Sequence, residues 1–108
     1  EFDLAPTGVI GLETALSVCY QTLNPQNGFS WLKLISAMSL NPSNILNIDQ
    51  GRLNIGSDAD IVIFDPDKNW IYSTNERSSN ATNSSFEYKK FKGKIVTTFF
   101  KGSEVYCT

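Results

Sequence analysis

The residues able to do chemistry are few, and the first of them are acids. Asp58 and Asp60 stand two apart ahead of an apolar run, and Asp65 and Asp67 stand two apart behind it. Paired carboxylates can pass a proton or help to hold a cation. Both pairs, however, sit at turn positions, where Asp ordinarily bonds to nearby backbone, and the structural reading is preferred. The sequence contains no His, which removes the commonest general base and the commonest metal ligand together. Cys19 and Cys107 lie far apart, in no metal or redox spacing. They leave room for one disulfide, but a reduced cytosolic chain is the default. No Gly-x-Ser-x-Gly elbow is present, and Gly8, Gly51 and Gly56 match no phosphate-binding loop. Trp31 and Trp70 read as core or interface anchors rather than ligand platforms. No metal site and no catalytic centre is therefore expected within these residues.

The elements that would position any site divide into helical patterns followed by strand patterns. Glu1 to Gly11 reads as a loop shaped by Pro6 and Gly8. Leu12, Ala15, Leu16, Cys19 and Leu23 recur at helical spacing and predict an amphipathic helix. Glu13 complements the dipole of its first turn. Asn24-Pro25 stops this helix, and Gln26-Asn27-Gly28 is a turn. Ser30 is a natural N-cap for a second helix, with Trp31, Leu34, Ile35 and Met38 on one face. Asn41-Pro42 is expected to end that helix and open a third, with Asn41 as cap and Pro42 in the first turn.

Ile61 to Phe64 is a continuous apolar run, rich in β-branched residues, between Gly51/Gly56/Asp58 and Asp65-Pro66. It predicts a strand buried on both faces, the hinge of the α-then-β order. Trp70 to Tyr72 reads as a separate short strand, and Ser73 to Ser85 as a long exposed polar loop. Lys94 to Phe100 is a second clear strand, returned by Glu104 to Tyr106 through a Lys101-Gly102 turn.

The 108 residues carry a net charge of −2, which argues against a nucleic-acid partner. Lys89, Lys90, Lys92 and Lys94 read as a solvated strand edge guarded by lysines. The sequons at Asn80 and Asn83 read as polar loop. No apolar run approaches the ~20 residues of a membrane span, and no signal peptide is visible. A cytoplasmic protein with no membrane partner is expected.

Three stretches then resemble one family. NPSNILNIDQGRLNIGSDADIVIFDP, residues 41–66, is similar to the segment joining the catalytic barrel to the small β-domain in the amidohydrolase superfamily. Asn41, Pro42, Ile45, Leu46, Gly51, Leu53, Gly56, Ala59 and Asp60 fit, and Ser43 replaces an Ala. FDLAPTGVIGLETAL resembles the dihydroorotase loop that follows the last barrel strand. Ala5, Pro6, Gly8, Gly11, Glu13, Thr14 and Ala15 match, and Thr7 stands in the Phe position. Asn83, Phe86, Gly93, Lys94, Thr97 or Thr98, Gly102, Val105 and Tyr106 fit a third dihydroorotase pattern, from which Ser84, Ser85 and Glu87 depart.

The resemblance implies an α+β fragment. Residues 1–50 would end a metal-dependent (β/α)₈ barrel, and residues 51–108 would form the C-terminal part of a composite β-sandwich. Such barrels need ~250 residues. The resemblance therefore implies a C-terminal fragment, inactive alone, with the zinc ligands and catalytic Asp lying upstream of Glu1. The full enzyme would interconvert N-carbamoyl-L-aspartate and L-dihydroorotate in pyrimidine biosynthesis. Dihydropyrimidinase and allantoinase are the near rivals. A non-catalytic scaffold subunit, with aspartate transcarbamoylase as its partner, is the reading from another class, and a stand-alone binding module is the weakest. Self-association or a homodimer is expected from the uncovered faces. The expected substrate-binding residues are Thr7 and Gly8, acting through main chain, because a glycine lets the backbone approach a ligand closely. The same Pro6-Thr7-Gly8 also reads as a plain turn.

Overall fold

The computed structural model describes residues 2–5, 7–23 and 28–108. The Asn24-Pro25 helix stop, the Gln26-Asn27 part of the expected turn and Pro6 lie outside them. After a short 3₁₀ turn at Phe2–Leu4, helix α1 spans Ala15–Thr22. A second helical run comprises α2 (Trp31–Ile35), a π-helical turn (Ser36–Leu40) and α3 (Asn41–Leu46). Strands β1 (Ile61–Ile71), β2 (Lys90–Phe100) and β3 (Ser103–Cys107) form an antiparallel sheet in the order β1-β2-β3.

Helix α1 begins later than Leu12 and buries a different face. The Thr14 N–H and hydroxyl both donate to the Gly11 carbonyl, at 3.2 and 3.3 Å, which closes a turn ahead of the helix. Leu12 is left 94% exposed, whereas Thr14 and Ser17 are buried. This small polar face packs on β2 because β2 carries Gly93 there. The Ser17 hydroxyl donates to the Gly93 carbonyl at 2.6 Å, and the Trp70 indole N–H donates to the same oxygen at 2.8 Å. A Cβ on Gly93 would meet Phe64 Cζ at 2.5 Å and Tyr20 Cδ1 at 2.8 Å. The missing side chain is what lets helix and sheet approach.

Ser30 caps α2 as expected, accepting from the Lys33 N–H at 3.3 Å. The break expected at Asn41-Pro42 does not occur, and Asn41 is no cap. Its φ/ψ of −66°/−46° is helical. Proline inside a helix lacks one donor and crowds the carbonyl four residues back. The π-helical turn just before it shifts the hydrogen-bond frame, with the Asn41 N–H reaching the Ser36 carbonyl, so the helix continues through Pro42. The run ends at Asn47, whose φ of 52° is left-handed, as a helix C-terminus often requires.

The strand at Ile61 is not buried on both faces. Val62 and Ile63 are each about half exposed, because β1 is an edge of the sheet. It also runs on to Ile71, absorbing Asp65-Pro66 and the separate strand expected at Trp70. The pairing with β2 slips between Asp65 and Asn69. There the Asp65 carboxylate accepts from the N–H groups of Asp67 and Lys68, at 2.9 and 3.2 Å, a bulge built by an Asp side chain. The lysines do not guard an edge. Strand β2 is central, and Lys90 and Lys92 occupy the solvated side of an alternation whose other side buries Phe91, Gly93 and Thr97. The Lys101-Gly102 turn is as expected, with φ of 48° and 80°, both positive as the tightest hairpins need.

The core is small. Leu34, Tyr72 and Phe91 are the buried apolar side chains among the described residues. Two aromatic groups extend it. Tyr20 stacks on Trp31 with centroids 4.7 Å apart, and both meet Phe64 edge-on. Trp70 packs on Phe91 at 5.4 Å, and Phe86 joins at 5.9 Å. The two tryptophans are thus packing anchors.

Candidate functional site

Thr7 and Gly8 lie exposed on the loop between the 3₁₀ turn and α1. Gly8 has φ of 81°, and among the described residues nothing beyond its chain neighbours lies within 4 Å of the space a Cβ would take. That positive φ is a backbone conformation glycine adopts without strain.

The loop is held from a distance. The Asn83 side-chain N–H donates to the Gly8 carbonyl at 2.7 Å, and the Asn83 main-chain carbonyl accepts from the Ile10 N–H at 3.3 Å. Further along, Glu13 accepts from the Ser78 N–H at 2.7 Å and from the Tyr72 hydroxyl at 3.2 Å. Burial first, and then its bond to Glu13, raise the Tyr72 pKa above its ordinary 10.0. The polar stretch after Tyr72 is therefore more than an exposed loop. It forms a short 3₁₀ turn at Thr74–Glu76, buries Thr74 and straps the segment from Gly8 to Glu13.

Behind the strap is a cleft of about 710 Å³, lined by Ile10, Leu12, Trp70, Ile95 and Tyr106, with Glu13 and Lys94 as its charged groups. The cleft begins at Val9, so Thr7 and Gly8 stand beside it without lining it. The Lys94 ammonium sits 5.4 Å from the Trp70 ring centroid, a cation–π contact.

Three of the four paired acids hold structure. Asp60 accepts from the Lys101 N–H at 2.8 Å and so ties the chain before β1 to the hairpin turn. Asp65 builds the bulge, and Asp67 meets the Lys92 ammonium at 2.9 Å. Cys19 and Cys107 are free thiols. Among the described residues no three His, Cys, Asp or Glu side chains come together, and this donor set does not fit a metal ion. No described helix is long and apolar enough to cross a membrane. Sequence reasoning missed the roles of Asn83 and Glu13 in holding the loop. Both lie within the family-like stretches, but spacing gave no sign that Asn83 meets Gly8 and Ile10 or that Glu13 meets Tyr72 and Ser78.

A model of the amidohydrolase family matches residues 1–105. A dihydroorotase of Clostridium acetobutylicum is 42% identical over 98% of the chain and 25% of its own length. One from Elusimicrobium minutum is 47% identical over 94% of the chain and 24% of its own length. Among solved structures, the L-hydantoinase (dihydropyrimidinase) of Arthrobacter aurescens superposes with a TM-score of 0.87 at 28% identity, covering 95% of the chain and 23% of that protein. The chain thus spans about a quarter of the length of the relatives it matches.

Proposed function

The chain belongs to the amidohydrolase family, and from that premise we propose that it is the C-terminal part of a dihydroorotase, interconverting N-carbamoyl-L-aspartate and L-dihydroorotate. The observation that carries this reading is the 42–47% identity to dihydroorotases across nearly every residue, against 28% to the hydantoinase. In this reading the zinc ions belong to residues outside these 108.

The share of this chain is recognition. Dihydroorotate carries a ring ureide, an edge of neighbouring N–H and C=O groups that exposed main chain can match. The loop at Thr7 and Gly8 offers such main chain. Among the described residues the Gly8 and Val9 N–H groups have no hydrogen-bond partner. Recognition through main chain also accounts for Thr7 at a position where the family pattern has Phe.

The test is Gly8→Val in the zinc-loaded enzyme that carries this chain. A β-branched residue is strained at positive φ. Losing one main-chain contact should raise KM about tenfold with zinc content unchanged. Thr7→Ala keeps the main chain and should move KM less. Wild-type KM and turnover in Gly8→Val would make the loop structural and remove it from the site.

A further inference from the structure

Asn83 bonds the loop at two consecutive peptide units, and the planarity of the peptide turns that into a statement about direction. The Gly8 carbonyl accepts from the Asn83 side chain at 2.7 Å, and the Ile10 N–H donates to the Asn83 main-chain oxygen at 3.3 Å. All described peptide bonds are trans, so C=O and N–H of one unit point opposite ways. If the Gly8 carbonyl faces Asn83, the N–H of Val9 faces away from it. If the Ile10 N–H faces Asn83, the carbonyl of Val9 faces away as well. Asn83 therefore leaves Val9 presenting a donor and an acceptor on the side opposite the strap. Neither group has a partner among the described residues. Val9 itself is 59% exposed.

We propose that Asn83 is a positioning residue of the site, and that the main-chain N–H and C=O of Val9 are the pair it aims at the ureide. This rests on the reading of the Thr7–Gly8 loop as the substrate loop. It goes further by naming which peptide groups read the ring and which distant side chain orients them. Among the described residues no other side chain bonds the Gly8–Val9 peptide. No heavy atom of the described residues beyond its chain neighbours lies within 4 Å of a Cβ built on Gly8, and Thr7 and Val9 are exposed. Without the side-chain bond, only the Ile10 N–H bond to the Asn83 main chain still holds the loop to the strap.

Asn83→Asp tests the assignment, because it keeps the shape and replaces the donor with an acceptor that repels the Gly8 carbonyl. In the zinc-loaded enzyme KM for dihydroorotate should rise about tenfold, the loss of one oriented hydrogen bond, while kcat and zinc content stay at wild-type values. Amide exchange of Ile10, read by mass spectrometry without turnover, should quicken. Asn83→Gln keeps the donor and should recover part of the KM. Unchanged KM in Asn83→Asp alongside a raised KM in Gly8→Val overturns the role of Asn83 alone. Unchanged KM in both variants overturns the substrate loop itself. Loss of zinc or of kcat in Asn83→Asp assigns Asn83 to the fold and also overturns the proposal.

Discussion

Tyr72 shows how one residue links the sheet to the strap. It follows β1 directly and is buried with Leu34 and Phe91. Its hydroxyl reaches the Glu13 carboxylate at 3.2 Å. Burial, the Glu13 bond and the charges of Glu13 and Glu87 favour its neutral form, only partly opposed by Ser84, and its pKa is raised above 10.0. A raised acid binds its proton more tightly in the folded state. Its contribution is fully present below pH 10 and is lost as pH rises from there through the folded pKa. Urea midpoints measured from pH 8 to 11 should fall above pH 10, and Tyr72→Phe should make that fall shallower. An unchanged slope in the variant would show that Tyr72 is not the titrating group.

At the scale of elements, the fold depends on α1 lying directly on β2. Gly93 has φ of 90° and is walled in by Phe64 and Tyr20. Alanine there meets two costs, the left-handed backbone at about 1–2 kcal/mol and overpacking at about 1–3 kcal/mol. Gly56 has φ of 89° but open space around it, so Gly56→Ala meets only the first. Chemical denaturation should place Gly93→Ala below Gly56→Ala by about 1–3 kcal/mol. Equal losses would mean that the helix and sheet have room to separate. Strand β1 is the opposite kind of element, with half-exposed Val62 and Ile63 on an unpaired edge. Such an edge is a template for another strand.

The whole molecule is more open than its mass requires. A folded monomer of 12.0 kDa exposes about 6,000 Å², whereas this chain exposes 8086 Å². Its radius of gyration is 15.7 Å, against about 13 Å for a compact domain of this length. Leu12, Leu32, Ile45, Leu53 and Ile55 are each at least 80% exposed. The excess, about 2,000 Å², exceeds the ~800 Å² each partner contributes to a standard interface. The isolated chain should therefore self-associate, its sedimentation-average mass rising above 12.0 kDa with concentration. A monodisperse monomer at high concentration would overturn this.

The sequence by itself determined what depends on neighbours a few positions away. The Ser30 cap, the Lys101-Gly102 turn, the turn role of Asp65 and the family motifs follow from local chemistry, and all were legible, whereas Asp60 bonds the Lys101 N–H, 41 positions away. Tertiary structure alone decided what depends on the element lying opposite. Hydrophobic periodicity marked Leu12, Leu16 and Cys19 as a face to be covered, yet could not say by what. Within this chain α1 turns Ser17 to the sheet, where its hydroxyl meets the Gly93 carbonyl, and Tyr20 sits in the space that a side chain at Gly93 would take. Strand order likewise made β1 an edge and β2 the centre, which no strand's own residues announce. Thr7 and Gly8 were legible as a loop with a special backbone. The residue that orients it, Asn83, lies 75 positions from Gly8 and meets it only because the fold brings the strap back over the segment ahead of α1.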